Sequence, residues 1–233
     1  MLRICTWNIG CFSFLKYAKY FGIKFKGQKI IHEYFQPKIN GNFVSKYIEQ
    51  INPDIIFLQE FYFPKDTESI EVLKNYPYQK LVHAWYHKHC ILIASKKEFK
   101  IKEDNSFSIV SYGELNFIPI HLNSFSALKR IEDSLILNEF AKHVSGLIIL
   151  GDTNIWSRGE KFIFLNDKKA YKILTERLND FSKKIISTTY AGLGLDKVFG
   201  SKNIQVKNIE SPKIRSHFMD HYPIFFDITD NNL

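Results

Sequence analysis

The sequence predicts an α/β fold. Short apolar runs typical of buried strands alternate with longer stretches in which apolar residues recur at helical spacing. The clearest strand is Leu147–Leu150, which Gly151 closes, and the clearest helix is Ala127–His143. Several predicted strands end in a polar residue, and in open α/β sheets the carboxyl ends of the strands border the ligand crevice.

The amino-terminal stretch Leu2–Ile9 alternates well enough for a strand, carries Asn8 near its end and is broken by Gly10. Cys5 lies in its apolar part and is predicted to be a small core residue rather than a reactive thiol. The next segment, from Cys11 to about Phe35, mixes aromatic residues with lysines. It is either a substrate-facing flap, whose rings stack on bases or sugars, or an amphipathic helix that covers the core.

Helical spacing predicts a helix over Phe43–Ile51. The buried strand Ile55–Glu60 follows, and its last residue is a carboxylate that is costly to bury without a partner. Glu60 therefore either caps a loop or binds a cation. Ser69–Lys74 is predicted to form a short helix.

Two further strands, Tyr78–Trp85 and Cys90–Ser95, are predicted on either side of a turn that contains His87 and His89. A zinc site would need a second ligand pair, which the neighbouring sequence lacks, so these histidines are expected to be solvated.

The middle of the chain predicts a hairpin of Phe107–Tyr112 and Leu115–His121, whose second strand ends in a histidine. In the helix Ala127–His143, the predicted apolar stripe includes Leu128 and Leu135.

The turn after Leu147–Leu150 presents Asp152 and Asn154. An acid and an amide so placed can serve one site, with the acid acting on a water or metal and the amide donating to a phosphate oxygen. The structural alternative is a Gly-Asp turn in which the aspartate caps its own backbone. The pattern alone leaves both open.

Beyond this turn, Lys161–Leu165 and Ala170–Leu178 are predicted to be helical. Leu195–Phe199 is predicted to be a strand with an acid, Asp196, near its start, and Ile204–Ile209 alternates as an edge strand does.

An acid and a histidine, Asp220 and His221, precede the last strand. The sequence shows no internal repeat or linker, and we expect a single domain over residues 1–233.

The composition favours a polyanionic partner. In 233 residues, 32 Lys and Arg exceed 24 Asp and Glu, which leaves a formal charge of +8, and Phe (21) and Tyr (12) are abundant. Such a charge attracts nucleic acid or an acidic membrane surface, although lysines also serve simply to solvate a surface. The three cysteines have no metal spacing, and neither a signal peptide nor a run of about 20 apolar residues is apparent. These features predict a cytoplasmic protein, and we expect a monomer.

Polar residues at strand ends supply three kinds of functional group. Carboxylates can bind a hard cation, amides can contact oxygen ligands, and imidazoles can transfer protons or stabilise negative charge. These residues are Asn8, Glu60, His121, Asp152, Asn154, Asp196, Asp220 and His221. Glu60 with Asn8 or Asp220 suits Mg²⁺, which prefers one or two carboxylates, waters and substrate phosphate. Mn²⁺ accepts the same ligands. Hydrolysis of a phosphoester needs such a cation, an acid to align water, and donors for the transition state.

Six short motifs follow one another along the chain: Thr6-Trp7-Asn8, Gln59-Glu60, His121-Leu122, Gly151-Asp152-Thr153-Asn154, Leu195-Asp196 and Asp220-His221-Tyr222-Pro223. Their order resembles the endonuclease/exonuclease/phosphatase superfamily, the DNase I-like fold. The resemblance covers essentially the whole chain. It implies a four-layer α/β sandwich, in which two mixed β-sheets pack face to face with helices on the outside. The predicted strands alone fit a doubly wound single sheet nearly as well.

The resemblance also implies a role for each site residue. Glu60 would be the principal metal ligand, with Asn8 and Asp220 in support. Asp152 would orient and deprotonate the attacking water, and Asn154 would hold the scissile phosphate.

Three further residues complete the implied site. His221 would stabilise the charged phosphate, held by Asp196, and His121 would contact the phosphate or assist the leaving group. Attack would be direct and in line, without a covalent intermediate.

Three positions depart from the family pattern. Met219 stands where a serine is usual, and Cys90 where a glycine is usual. His121-Leu122 differs from what typical abasic-site endonucleases carry, whereas Thr-Trp-Asn-Ile with Gly-Asp-Thr-Asn is similar to the 5′-tyrosyl-DNA phosphodiesterases.

The resulting prediction is a Mg²⁺-dependent phosphodiesterase of nucleic acid, with DNA favoured over RNA. One alternative keeps the site but changes the substrate to 5′-tyrosyl-DNA ends, phosphoinositide or sphingomyelin-type lipids, or small phosphomonoesters. Another is a noncatalytic binding module on the same scaffold.

Overall fold

A computed structural model describes residues 1–10, 37–61, 65–83, 90–103, 107–214 and 219–229. The described strands are β1 (Leu2–Asn8), β2 (Ile55–Phe61), β3 (Tyr78–His83), β4 (Cys90–Ser95), β5 (Lys100–Glu103), β6 (Ser108–Tyr112), β7 (Leu115–His121), β8 (Leu147–Asp152), β9 (Ser157–Arg158), β10 (Lys161–Phe162), β11 (Leu178–Asp180), β12 (Asp196–Ser201), β13 (Val206–Glu210) and β14 (Ile224–Ile228). The described helices are α1 (Pro37–Ile51), α2 (Lys65–Ser69), α3 (Ala127–His143) and α4 (Leu165–Thr175), with a 3₁₀ helix at Glu71–Asn75. The predicted flap or cover helix at 11–35, Trp85 and the turn with His87 and His89 lie outside the described residues.

The strands form two six-stranded sheets and a small hairpin of β9 and β10. The strand order is β13-β14-β1-β2-β4-β3 in the first sheet and β11-β12-β8-β7-β6-β5 in the second. Both sheets are mixed, because β1 runs parallel to β2 and antiparallel to β14, while β8 runs parallel to β7 and antiparallel to β12. The predicted pair of mixed sheets is confirmed, and the alternative of one doubly wound sheet is wrong.

The inner faces of the two sheets share one apolar core. Ile4 and Phe57 of the first sheet belong to the same buried cluster as Phe117 and Leu150 of the second. The rings of Phe57 and Phe117 lie 5.4 Å apart. Face-to-face packing follows from strands whose alternate side chains are apolar on the inner side.

Helices cover the two outer faces and complete four layers. On the first sheet, Val44 and Ile48 of α1 pack with Trp7. On the second, α3 and α4 pack side by side, and Leu137 and Leu174 join Ile149 in a third cluster. Among the described helices, none combines the length and the apolar character that a membrane crossing requires.

Of the two helix predictions after the Gly-Asp turn, one is wrong and the other is confirmed in part. Lys161–Leu165 was predicted to be helical, but Lys161–Phe162 is strand β10, which pairs with β9 across a turn in which Gly159 has φ of +57°. The helix predicted over Ala170–Leu178 is α4, which starts earlier, at Leu165, and ends at Thr175. The residues between the two predicted segments were missed because Asn166, Asp167, Lys168 and Lys169 are all polar and give no apolar periodicity.

Two other predictions are wrong in part. The helix predicted over Ser69–Lys74 is split between α2 and the 3₁₀ helix. In α3, Leu128 and Leu135 of the predicted apolar stripe are exposed, whereas Arg130 and Asp133 are buried.

Two sequence predictions on buried and edge positions are confirmed. Val206–Glu210 lies at the edge of the first sheet, where the alternating segment Ile204–Ile209 predicted an edge strand. Cys5 is fully buried, and its burial raises the pKa of the thiol to about 12.

Candidate active site

The predicted site residues meet at one edge of the sandwich. Asn8 ends β1, and His121 and Asp152 end the parallel neighbours β7 and β8. Asp196 begins β12, which runs antiparallel to β8, so Asp152 lies opposite Asp196 on one side and His121 on the other. The strand directions therefore bring residues far apart in the sequence to the same edge.

Asp152 lies at the centre of this group. Its Oδ2 atom accepts a hydrogen bond of 3.0 Å from Nδ2 of Asn8, on the other sheet. The Nε2 atoms of His121 and His221 both lie 3.7 Å from the same oxygen, beyond hydrogen-bond length. Asp152 is 2% exposed, so its carboxylate faces donors rather than bulk water.

His221 is held by Asp196, whose Oδ2 lies 2.8 Å from its Nδ1. Burial alone lowers the pKa of His221, but the negative charges of Asp196 and Asp152 outweigh it and place the pKa well above its usual value. This direction favours the protonated imidazole, in which Nδ1 donates to Asp196 and Nε2 faces Asp152. Oγ1 of Thr188 fixes this strand end by accepting the backbone N–H of Asp196 at 3.0 Å.

An irregular backbone directs the side chain of Glu60 into the site. It lies where the pairing of β2 with β4 shifts register, and its φ of +54° is in the left-handed region, which is strained for a non-glycine residue. Its Oε1 accepts a hydrogen bond of 3.2 Å from Asn8 and lies 3.7 Å from Nε2 of His121. A Cβ on Gly10 would lie 1.9 Å from Glu60 Oε2, so the carboxylate occupies the space that this glycine leaves.

Asp220 lies among like charges. Burial raises the pKa of its carboxyl, and the negative charges of Glu60 and Asp152 raise it further, against the opposite effect of His221. Its carbonyl accepts the backbone N–H of Tyr190 at 2.8 Å, which fixes the segment before β14.

Asn154 also has a left-handed backbone, with φ of +49°. Its backbone N–H donates to Oδ1 of Asp152 at 2.8 Å, and its Nδ2 donates to the carbonyl of Leu122 at 2.9 Å. Asp152 thus caps its own turn, as the structural alternative required, while its second oxygen faces the site. The two predictions for this turn are compatible.

Sequence reasoning missed three supporting residues. Trp7 donates from Nε1 to the carbonyl of His221 at 3.1 Å, and Thr188 fixes the start of β12. Gln59 is fully buried and donates to Thr6 at 2.8 Å. The motifs Thr6-Trp7-Asn8 and Gln59-Glu60 indicated two of them by position, whereas nothing in the sequence distinguished Thr188.

Two sets of residues are placed to hold a cation. Glu60 and Asp220 supply carboxylates, with Asn8 bonded to Glu60. Alternatively, ligand atoms of Asp152, Asp196 and His221 lie within 4.8 Å of one another. In the second set, Nδ1 of His221 is already paired with Asp196, which leaves fewer ligand atoms for a cation. The first set fits a hard cation, which would offset the charges that raise the pKa of Asp220.

The chain belongs to the endonuclease/exonuclease/phosphatase family, whose model matches residues 5–214. A search of curated proteins found no match.

Solved structures show the same fold at low identity. The chain is similar to an AP endonuclease from Archaeoglobus fulgidus, with 16% identity, a TM-score of 0.64, and coverage of 98% of this chain and 99% of the other. It is also similar to the 3′ phosphatase NExo from Neisseria, solved with a product DNA hairpin, with 14% identity, a TM-score of 0.67, and coverage of 98% and 100%. A mannosyl-6-phosphatase from Bacteroides thetaiotaomicron gives 14% identity, a TM-score of 0.65, and coverage of 98% and 100%. This DNase I-like architecture is the fold that the sequence motifs predicted.

Proposed function

We propose that this protein is a magnesium-dependent phosphodiesterase that hydrolyses nucleic acid, with DNA as the favoured substrate. The observation that carries the proposal is the buried Asp152 carboxylate, whose Oδ2 faces Asn8, His121 and a cationic His221. This arrangement combines a base for water with positive charge for a phosphate. The formal charge of +8 supports a polyanionic substrate. An AP endonuclease and a DNA-bound 3′ phosphatase among the similar structures support nucleic acid.

Glu60, Asp220 and Asn8 are the residues that we assign to the cation. Two carboxylates and an amide match the oxygen ligands of Mg²⁺, and Mn²⁺ would be accepted by the same set. When bound, the cation neutralises phosphoryl oxygens and lowers the pKa of water. Gly10 leaves room for the Glu60 carboxylate, and Asn8 orients it through the 3.2 Å hydrogen bond.

The remaining residues perform the proton and charge steps. Asp152 accepts a proton from the attacking water, oriented by the hydrogen bonds from Asn8 and from the backbone of Asn154. The cationic His221 stabilises the negative charge that develops on the phosphate, and Asp196 maintains that protonation state.

Two donors remain for the substrate. Leu122 uses one hydrogen of Asn154 Nδ2, and the other is available to a phosphate oxygen. His121 assists the leaving oxygen. Attack is direct and in line, and no side chain forms a covalent intermediate.

We also propose a single-domain monomer in the cytoplasm. The two cysteines among the described residues, Cys5 and Cys90, are both free, which supports a reducing compartment.

The test is incubation of the purified protein with end-labelled single-stranded and duplex DNA and RNA, in Mg²⁺ or in EDTA, beside an Asp152→Asn variant. Metal-dependent cleavage that the variant lacks would support the proposal, and the product ladder would separate endonuclease from exonuclease action. Cleavage of none of these substrates would contradict it. Tyrosyl-linked DNA ends, phosphoinositide or sphingomyelin vesicles and small phosphomonoesters are then the substrates to assay.

A further inference from the structure

Exposed apolar side chains form a patch beside the candidate active site, which we name the rim platform. It consists of the exposed Phe125, Leu128, Ile163, Phe164 and Leu165, together with the half-buried Trp156. Of these, Phe125 is 69%, Phe164 51% and Leu165 85% exposed, although side chains of this size are usually buried. Apolar side chains grouped on a surface, rather than scattered singly, indicate an interaction site.

Hydrogen bonds bring the two loops of the platform together. Arg130 donates from Nη1 to the carbonyl of Asn123 at 2.8 Å, and from Nη2 to Oδ1 of Asp167 at 2.6 Å. The other oxygen of Asp167 accepts the backbone N–H of Trp156 at 3.1 Å. The loop that carries Phe125 and the segment that begins at Trp156 are thus tied to one buried ion pair.

The platform lies on the same edge of the sandwich as the site. Phe125 follows His121 closely in the loop after β7, and Trp156 follows Asn154 closely in the segment after β8. The rings of Trp156 and Phe164 lie 5.8 Å apart, with their planes tilted by 57°. Two platform residues therefore follow closely along the chain after residues assigned to the phosphate.

Positive charge is concentrated in the same stretch of the chain as two of these rings. Arg158, Lys161, Lys168 and Lys169 are exposed within 156–169, and Glu160 is the exposed acid of that stretch. Aromatic faces for bases and cations for phosphates are the combination that proteins use to hold single-stranded nucleic acid.

We propose that the rim platform binds unpaired nucleotides next to the scissile phosphate, so that the preferred substrate is single-stranded or has an unpaired end. This inference rests on the proposed function. Bases in a duplex are stacked on each other and cannot offer their faces to Phe125 or Phe164. An unpaired base can stack on these rings while its phosphates meet the neighbouring basic side chains.

The test measures the affinity of a labelled 12-nucleotide single strand and of the matching duplex. The full chain carries Asp152→Asn to prevent turnover, with and without Phe125→Ser or Phe164→Ser. Serine at position 164 removes the ring and is a favourable residue at the start of α4, so the fold should persist. The matched control is Tyr78→Ser, an exposed ring on the edge strand β3, paired with Ser95 at the opposite end of the first sheet from Glu60.

We expect the single strand to bind at least about 10-fold more tightly than the duplex, and each phenylalanine variant to weaken single-strand binding about 5- to 100-fold. Duplex binding, and both affinities of the Tyr78→Ser control, should stay unchanged. Equal affinity for both substrates, or unchanged single-strand binding in both phenylalanine variants, would overturn the inference. Binding to phosphatidylserine vesicles that is lost in Phe164→Ser would also overturn the inference, because the platform would then be a membrane-binding surface.

A separate assay distinguishes failure of the inference from failure of the proposed function. Suppose that the unmodified protein cleaves duplex and single strand equally, and that Phe164→Ser alone cleaves both as well as the unmodified protein does. The proposed phosphodiesterase activity would then stand, and the role proposed for the rim platform would be wrong. If no nucleic acid is cleaved in Mg²⁺, the proposed function fails, and with it the assigned role of the platform.

Discussion

Nδ1 of His221 lies 2.8 Å from Oδ2 of Asp196, although Asp196 begins β12 of the second sheet and His221 precedes β14 of the first. The contact joins the two sheets at the site. It also favours the protonated form of His221, since the negative charge of Asp196 is the main influence that raises its pKa against burial. His221 therefore depends on Asp196 for its charge as well as its orientation.

Replacing Asp196 with Asn should lower kcat by about 10²- to 10⁴-fold, because the amide preserves the shape but removes the charge that favours the imidazolium. The measurement is the single-turnover cleavage rate at saturating Mg²⁺. Thermal unfolding should show that the variant remains folded. A rate within threefold of the unmodified protein, on the order of ordinary surface variants, would show that Asp196 does not support His221.

Gly10→Ala should displace the Glu60 carboxylate, since the new Cβ would lie 1.9 Å from Oε2. The carboxylate can move aside, but the new Cβ would also lie 2.8 Å from the Cβ of Glu60, so the backbone must shift and some stability should be lost. The Mg²⁺ concentration needed for half-maximal activity should rise about 10- to 100-fold. Gly113→Ala is the control. No atom lies within 4 Å of its Cβ position, and its φ of +60° should reduce stability while metal dependence is kept. Unchanged metal dependence in Gly10→Ala would contradict the assignment of Glu60.

Asp167→Ala should destabilise the fold by about 3–5 kcal/mol, because it leaves the Arg130 guanidinium buried without its carboxylate. The free energy of unfolding in urea gives the measurement. Lys129→Ala removes an exposed pair with Glu132 on the same helix and should cost no more than about 1 kcal/mol. Similar losses in both variants would show that burial of the Arg130–Asp167 pair is unimportant.

We expect the protein to lose stability in acid because of the interactions of Asp227. Two hydrogen bonds from Arg3, at 2.8 and 3.1 Å, hold the pKa of its carboxyl below the usual value, and a third from Asn208 acts in the same direction. A carboxyl with a lowered pKa in the folded state stabilises the protein above its unfolded-state pKa of about 3.9, and the contribution disappears as the pH falls through the folded-state pKa.

Asp227→Asn should therefore be less stable than the unmodified protein at pH 7 by about 1–2 kcal/mol, a modest value because Arg3 is partly exposed. Chemical denaturation from pH 7 to pH 2 should show this difference shrinking below about pH 4. A difference that stays constant over this range would rule out the charge of Asp227 as its source.

The candidate site could be predicted because its residues stand at strand ends, where polar side chains after apolar runs are informative. His121 and Asp152 were found in this way. The hydrogen bond from Asn8 to Asp152 could not be predicted, because strand pairing within each sheet and packing between sheets bring the two together. The motifs, rather than hydrophobic periodicity, predicted two sheets.

The errors in the fold have local causes. In α3, Arg130 is buried because Asp167 of α4 neutralises it, whereas Leu128 is exposed on the rim platform. The hairpin of β9 and β10 has only two residues in each strand, too few to show an alternating pattern.

The most direct test of the central claim is the single-turnover rate of DNA cleavage as a function of Mg²⁺ concentration, for the unmodified protein, Glu60→Gln and Asp152→Asn. Glu60→Gln should shift the curve to at least about 10-fold higher Mg²⁺. Asp152→Asn should lower the maximum rate by about 10²-fold or more. Cleavage that needs no divalent cation, or a Glu60→Gln curve that overlays that of the unmodified protein, would contradict a metal-dependent phosphodiesterase built on these residues.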